Sequence, residues 1–332
     1  MVQVVIALVL GIVGLWAFWS LLRLLQGLSK PRPVADPKTD QQDIEPVEPE
    51  GEIANDGLVY MFAGKFVKPA TRRALGSIPR DRAFDLASGT ELDPRGFAQE
   101  IVYAMLIQLY ENGCIKFRLV PRDASFMPPF PHKAWELRVR QLQSFPSSPI
   151  CDSLNIAFEM IYKKRAKKAE AASKDGIPED DLWVSLDDLL ENALKAMRQE
   201  MSFWERGCIY SDLRNYVGIG LTAQRYLVAP RQDTWLDRVR RKPPTPNPVA
   251  MESQNLEAKA EALLKRINTF RARFGSAAAC EDPDWPAGDV DPGLLQPQCP
   301  LEDLPLDDCL RVSIYETLIA IRQLEPSGEA GI

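Results

Sequence analysis

The chain has 332 residues, a formal net charge of −6 and six cysteines. The negative charge argues against a dedicated nucleic-acid binder, because such proteins present a strongly basic surface. The cysteines are scattered without a CxxC pair, which excludes the disulfide framework of a small secreted domain and predicts reduced, mostly buried thiols.

The first element in chain order is an uncharged apolar segment from Val2 to Leu22. A helix of this length spans roughly the 30 Å hydrocarbon core of a bilayer. Trp16 and Trp19 lie toward one end, where indole rings favour the headgroup layer. A cleaved signal peptide requires a basic start and a small-residue cleavage site, and neither is present. We therefore expect residues 1–28 to form an uncleaved transmembrane signal-anchor.

The charges that flank this segment predict its orientation. Arg23, Lys30 and Arg32 follow the segment, and no Lys or Arg precedes it. The positive-inside rule then places the N-terminus outside and the rest of the chain in the cytoplasm. Residues 29–56 are rich in proline and acidic residues and poor in apolar ones, so we expect a disordered tether there.

Two proline-rich stretches divide the remaining chain. The segment 242–248 holds four prolines within six residues, which forbids a helix and predicts an extended connection. The segment 281–305 is rich in Pro, Gly and Asp. We expect a main α+β cytoplasmic domain at 57–242 and a helical C-terminal part at 249–325.

Hydrophobic periodicity predicts a helix-dominated α+β fold. The clearest helix starts at the N-cap Asp93 and Pro94 and ends before Gly113, with apolar residues every four positions at Phe97, Ile101, Met105 and Leu109. Other helices are predicted at 133–144, 150–172, 185–207, 255–274 and 306–324. Strands are predicted at 57–67, 114–120, 208–210, 216–222 and 226–228.

One short sequence recurs. Glu111-Asn112-Gly113-Cys114-Ile115 is echoed by Glu205-Arg206-Gly207-Cys208-Ile209, and each copy closes a predicted helix and opens a predicted strand. Helix, glycine and apolar strand resemble the passage into the wing of winged-helix domains, over roughly 92–123 and 183–230. The resemblance implies tandem winged-helix-like units, a fold that serves protein contacts as well as DNA binding. Such junctions also occur in other α+β domains, so an unspecified α+β fold is the alternative.

Catalytic and metal-binding motifs are absent from the sequence. There is no P-loop, GxGxxG, HExxH or GxSxG pattern. The single histidine, His132, is expected at the surface of a helix start. The acidic stretch at 281–291 lacks the spacing of an EF-hand, and Cys280, Cys299 and Cys309 match no zinc module. The acidic pairs 187–188 and 307–308 are expected at helix starts, where the helix dipole favours negative charge. We expect no cofactor and no catalytic site.

Two basic clusters are candidates for contact with an anionic surface. Membrane anchoring favours lipid headgroups over nucleic-acid phosphates as their partner, and a solvated helix face is the alternative. The residues are Lys163, Lys164, Arg165, Lys167, Lys168, Arg238, Arg240, Arg241 and Lys242.

These observations predict a single-pass membrane protein whose cytoplasmic domain binds another protein, as a scaffold, assembly factor or regulator. The bilayer itself is a partner through Val2 to Leu22, and we do not expect nucleic acid to be one. Two alternatives belong to other classes: a membrane-tethered winged-helix-like regulator that contacts nucleic acid, and an enzyme with an unrecognised site.

Overall fold

The computed structural model describes residues 48–70, 82–122, 135–171, 178–201, 206–229, 244–275 and 304–325. The folded body that begins at Pro46 is a compact unit. Within the described ranges no helix has both the length and the apolar character needed to cross a bilayer. The predicted anchor at Val2–Leu22 and most of the predicted tether lie outside those ranges.

The described part is dominated by helices, which confirms the predicted helix-rich α+β class. In chain order the helices are α1 (Asn55–Met61), α2 (Ala63–Phe66), α3 (Pro94–Glu111), α4 (Pro149–Ala171), α5 (Leu186–Glu200), α6 (Ile209–Ala223), α7 (Pro248–Ser253), α8 (Leu256–Phe274) and α9 (Leu306–Leu324). The strands are β1 (Ala83–Phe84), β2 (Glu91–Leu92), β3 (Ile115–Pro121), β4 (Trp135–Gln141), β5 (Val184–Ser185), β6 (Leu227–Val228) and β7 (Thr245–Pro246).

Helix α3 is the centre of the core. Its N-cap Asp93 accepts hydrogen bonds from the amides of Arg95 and Gly96, at 3.3 and 2.9 Å, as the sequence predicted. Gly113 follows the helix with a φ of 69°, the left-handed conformation that ends many helices. Both the predicted apolar face and most of the opposite faces are buried, so neighbours surround α3 and helices α1, α4, α6, α8 and α9 contact it.

A three-stranded antiparallel sheet covers part of this core. Strands β3 and β4 pair along their full length, from Ile115 opposite Gln141 to Pro121 opposite Trp135. Strand β5 adds to the other edge of β4, with Val184 opposite Val139. The helix predicted at 133–144 is therefore wrong. From Trp135 to Val139 buried and half-buried residues alternate, which is the two-residue period of a strand.

Two predicted strand regions are helical instead. Residues 57–67 lie in α1 and α2. Their apolar run is buried on every side, so its sequence has no periodicity that would distinguish a helix from the predicted strand. Residues 209–223 form α6, and its buried Ile209, Leu213, Val217 and Leu221 follow a four-residue spacing. The second helix–glycine–strand copy therefore has no wing, and the prediction of tandem winged-helix-like units is wrong there.

The C-terminal helices pack on the same core as the rest of the body. Helices α8 and α9 were predicted at 255–274 and 306–324, and the structure confirms both. Tyr110 of α3 meets Phe270 and Phe274 of α8 edge-on, with ring centroids 5.7 and 6.0 Å apart. Helix α9 contacts α3, α5 and α6. The proline-rich connection is extended at Thr245–Pro246, where β7 pairs with β6.

Candidate interaction surface

Helix α4 carries the first predicted basic cluster, and its N-terminus is held by two polar groups. The hydroxyl of Ser148 accepts a hydrogen bond from the amide of Cys151 at 3.2 Å. The buried carboxylate of Asp56 lies beside Ser148 and the amide of Ile150. A negative or acceptor group at this end complements the helix dipole. These contacts fix the N-terminus of α4 to the core.

The two ends of α4 differ in burial. Ile150, Leu154, Ala157 and Phe158 bury one face of the first turns. After Tyr162 only Ala169 is buried, and Lys163, Lys164, Lys167 and Lys168 are all exposed. We call these four residues the α4 lysine cluster. At about 100° per residue they occupy an arc of about 140° around the helix.

Arg165, the fifth basic residue predicted there, points inward. Its guanidinium donates to the carbonyl oxygens of Asp181 and Trp183, the latter at 3.1 Å. It thereby ties α4 to the 3₁₀ turn Glu179–Leu182 that leads into β5. The prediction that Arg165 belongs to a cationic surface has no support from this geometry, and its role in the described structure is to hold a turn.

The lysines of the cluster differ in whether their ammonium groups have a partner. Lys163 pairs with Glu159 at 3.0 Å, one turn earlier, and its side chain stays 73% exposed. In the described structure no salt bridge or hydrogen bond engages the ammonium groups of Lys164, Lys167 and Lys168. The half-exposed Met160 lies within the same arc, and Glu159 and Glu170 border one side of it. The end of α4 thus combines free cations with an exposed apolar side chain.

A shallow cleft of about 250 Å³ opens at the other end of α4, against α6. We call it the α4–α6 cleft. Its lining consists of Ser147, Ser148, Pro149, Asp152, Tyr216, Ile219, Gly220, Ala223 and Gln224. Gly220 permits the close approach of the helices, since a Cβ there would lie 2.2 Å from Cγ of Pro149.

Polar groups hold one wall of the cleft in place. The hydroxyl of Tyr216 donates to Glu200 Oε2 at 2.6 Å and accepts from Ser153 at 3.3 Å. Partial burial raises the pKa of Asp152, and the nearby carboxylate of Glu200 raises it further. Ile219 is 47% exposed at the rim, and Ile156 is 36% exposed one turn beyond Asp152. One wall of the cleft is thus polar and held by hydrogen bonds, and its rim carries the exposed apolar side chain of Ile219.

A second group of charges is buried between α3 and α9. Arg311 Nη1 donates to Glu100 Oε1 at 2.7 Å, and Nε donates to Asp307 Oδ2 at 3.3 Å. The guanidinium carbon lies 3.7 Å from the ring centroid of Tyr103, whose hydroxyl donates to Asp307. All four residues are almost fully buried. We call them the Arg311 cluster.

The Arg311 cluster shifts the ionisation of its members. Burial raises the pKa of Glu100, and the adjacent guanidinium opposes that rise. Burial likewise raises the pKa of Tyr103 well above its usual range, so its hydroxyl stays protonated as a donor. These groups connect two core helices without lining an open cleft that the structure describes. Their arrangement is that of a structural ion pair.

Only part of this cluster was predicted from the sequence. Asp307 was expected as an acidic residue at a helix start, and it does lie in the first turn of α9. Glu100, Tyr103 and Arg311 were not predicted as its partners. A usable indication was present, because Arg311 stands between apolar Leu310 and Val312, and Glu100 precedes Ile101 and Val102. Charges inside such runs are almost never buried without a partner.

Several other predicted residues lie outside the described ranges. These are His132, the acidic stretch at 281–291, Cys280 and Cys299, and the second basic cluster Arg238, Arg240, Arg241 and Lys242. Cys114, Cys151, Cys208 and Cys309 are buried and take part in no disulfide bond, which confirms the prediction for these four thiols. Burial raises the pKa of Cys151 to about 12, so this thiol is a poor nucleophile.

No family model matches this chain, and neither the curated proteins nor the solved structures contain a significant match. Among the described residues no group of three or more His, Cys, Asp or Glu side chains could hold a metal ion. The α4 lysine cluster and the α4–α6 cleft are therefore the surfaces on which a function can be proposed.

Proposed function

We propose that this chain is a single-pass membrane-anchored protein whose cytoplasmic body binds another protein, as a scaffold or assembly factor. The observation that carries the proposal is the α4–α6 cleft, whose lining includes the exposed Ile219. Ile156, also exposed, lies on α4 one helical turn beyond the lining residue Asp152. Single exposed apolar residues are ordinary, but one that lines a cleft, with another on the neighbouring helix, gives an apolar surface that a partner can dehydrate. Tyr216 adds an aromatic ring of the kind that contributes strongly to interfaces.

The membrane part of the proposal is supported by the sequence. The uncharged segment Val2–Leu22 is long enough to span the bilayer core. The basic residues that follow it favour a cytoplasmic location for the body. Anchoring would confine the cleft to a thin layer beside the membrane, where a partner in the same membrane meets it at a raised effective concentration.

The partner surface is tested by charge insertion at the cleft. Full-length chain carrying Ile156→Glu and Ile219→Glu is purified from gently solubilised membranes beside the wild type, and bound proteins are quantified by mass spectrometry. We expect the wild type to retain one partner at a constant ratio. The double variant should recover about tenfold less of that partner, because the two introduced charges make this surface costly to dehydrate.

The matched control carries Phe84→Glu and Leu324→Glu, two exposed apolar positions on other elements. This variant should retain the partner as the wild type does. Recovery of the wild-type chain alone in every detergent tested, or equal recovery by all three proteins, contradicts the proposed interaction.

The orientation is tested separately by protease digestion of sealed membrane vesicles. With the cytoplasmic face enclosed, we expect residues 57–332 to survive digestion and to be cleaved only after the vesicles are opened by detergent. Vesicles of the opposite orientation should expose the same residues without detergent. Digestion of the body in the first preparation contradicts the proposed topology, and release of the chain by alkaline carbonate contradicts the anchor itself.

A further inference from the structure

We propose that the α4 lysine cluster docks the body onto the anionic lipid surface of the membrane that holds its anchor. This inference rests on the proposed anchoring and adds a second, reversible contact with the same bilayer. The occupant is lipid headgroups with negative charge, and the contact is made by Lys163, Lys164, Lys167, Lys168 and Met160.

The first argument is the composition and exposure of the surface. Lys164, Lys167 and Lys168 place ammonium groups in solvent without a described counter-charge, near the C-terminal end of α4. A planar, diffuse layer of negative charge can contact several such groups together. Met160 is 50% exposed within the same arc. An apolar side chain among lysines is the arrangement by which interfacial helices enter the headgroup boundary.

The second argument is proximity. The predicted span ends at Leu22 and the described body begins at Glu48. The intervening residues 23–47 can reach at most about 85 Å, the fully extended length of about 25 residues. With the proposed anchor in the bilayer, the body stays within that distance of it. A contact that is weak for a free protein becomes appreciable when the surface is always within reach.

The third argument separates lipid from nucleic acid. The whole chain carries a net charge of −6, and the four lysines of the cluster lie at one end of one helix. Glu159 and Glu170 border one side of the cluster, where they interrupt any extended basic track along a phosphate backbone. Proteins that bind nucleic acid usually carry a basic patch or stripe over a larger surface. A local cluster near a membrane suits headgroups better.

The test uses the full-length chain in nanodiscs of pure phosphatidylcholine or of phosphatidylcholine with one part in four of phosphatidylserine. Hydrogen–deuterium exchange is followed by mass spectrometry in peptides that cover residues 156–171. In the phosphatidylserine discs we expect exchange in these peptides to slow by at least about fivefold, and raised salt should abolish the difference.

Charge reversal identifies the residues responsible. The variant Lys164→Glu, Lys167→Glu, Lys168→Glu should lose this protection. The control Lys116→Glu, Lys265→Glu, Arg273→Glu changes the charge of the chain equally at exposed positions of β3 and α8, and it should keep the protection. Met160→Gln should weaken protection in phosphatidylserine discs while leaving its salt dependence in place, because it removes only the apolar contact.

Three outcomes overturn the inference. Equal exchange in the two disc compositions shows that anionic lipid is not the occupant. Equal loss of protection in the reversal variant and in its control shows that net charge, and not the cluster, is responsible. Stronger protection by duplex DNA added to phosphatidylcholine discs assigns the surface to nucleic acid. Failure of the chain to enter discs at all instead contradicts the anchor, and is scored separately by co-elution of chain and lipid.

Discussion

Replacing Arg311 by methionine is expected to lower the free energy of unfolding by about 3–5 kcal/mol. Methionine fills a similar volume but leaves the carboxylates of Glu100 and Asp307 in the core without their cation. Removing one partner of a buried ion pair costs far more than the pair itself contributes, because an uncompensated charge stays out of water. Urea denaturation of the purified wild type and variant measures the difference.

Two further variants test whether this loss of stability is specific to the Arg311 cluster. Lys163→Met breaks the exposed pair with Glu159 and should cost about 0–1 kcal/mol, because solvent screens that interaction. The triple variant Arg311→Met, Glu100→Gln, Asp307→Asn removes all the buried charges and should recover part of the lost stability. A loss for Arg311→Met no larger than that for Lys163→Met contradicts a structural role for this buried arginine.

The second large effect is expected at Asp56, whose stability contribution depends on pH. Burial raises the pKa of Asp56 from its ordinary value of 3.8 to about 6. Hydrogen bonds from Gly57, Ile150 and Ser148 lower that pKa in part, and the Gly57 amide donates at 2.8 Å. The shift of about two pKa units corresponds to about 3 kcal/mol of free energy.

The stability falls with rising pH because the folded state binds the proton of Asp56 more tightly than the unfolded state does. Since the pKa is higher in the folded state, the contribution of Asp56 is fully present below pH 3.8 and is lost as the pH rises through 6. Between pH 5 and pH 8 the loss is about 1.4 kcal/mol. In Asp56→Asn this titration is absent, so the stability of the variant relative to wild type should rise by that amount across this pH range.

The matched control is Asp180→Asn, the same substitution at an exposed side chain on the 3₁₀ turn. Urea denaturation of the three proteins at several pH values gives the comparison, in which all other titrating groups cancel. A stability difference between Asp56→Asn and wild type that stays constant from pH 5 to pH 8 contradicts the raised pKa. A difference that changes in the opposite direction contradicts the burial of an unpaired carboxylate.

The sequence predicted the amphipathic and capped helices well. Helix α3 has a clear start at Asp93 and a clear stop at Gly113, and helices α8 and α9 carry regular apolar stripes. Such local features act within a few residues and are therefore visible in a single chain. The sequence predicted strand β3 but not its partner β4, and the 13 residues 122–134 separate the two strands in the chain.

The secondary structure was predicted wrongly in a segment that is completely buried and in a segment whose residue types favour a strand. The run Leu58–Phe62 is apolar at every position, which suits a buried strand and a buried helix equally. Residues 216–222 contain aromatic and β-branched side chains that favour a strand and two glycines that disfavour a helix, yet they continue a helix that started at Ile209. In α6 the packing of its apolar face against neighbouring helices overrides intrinsic propensity.

The candidate surfaces were predicted in the same uneven way. The sequence identified the lysines of α4 as a group, but it could not show that Arg165 turns toward carbonyl oxygens. The α4–α6 cleft could not be predicted from the sequence, because its lining joins residues 147–152 with residues 216–224. The partners Glu100 and Arg311 are 211 positions apart, and one sequence holds no information that pairs them.

By itself, the sequence determined the apolar N-terminal segment, the boundaries of the best-capped helices and the grouping of basic residues along α4. These depend on residues that are neighbours in the chain, where composition and helical spacing are sufficient. The tertiary structure alone decided which side of α4 is exposed, which charges are buried together, and where a cleft opens. Those properties arise when distant segments exclude water from one another, which no local pattern specifies.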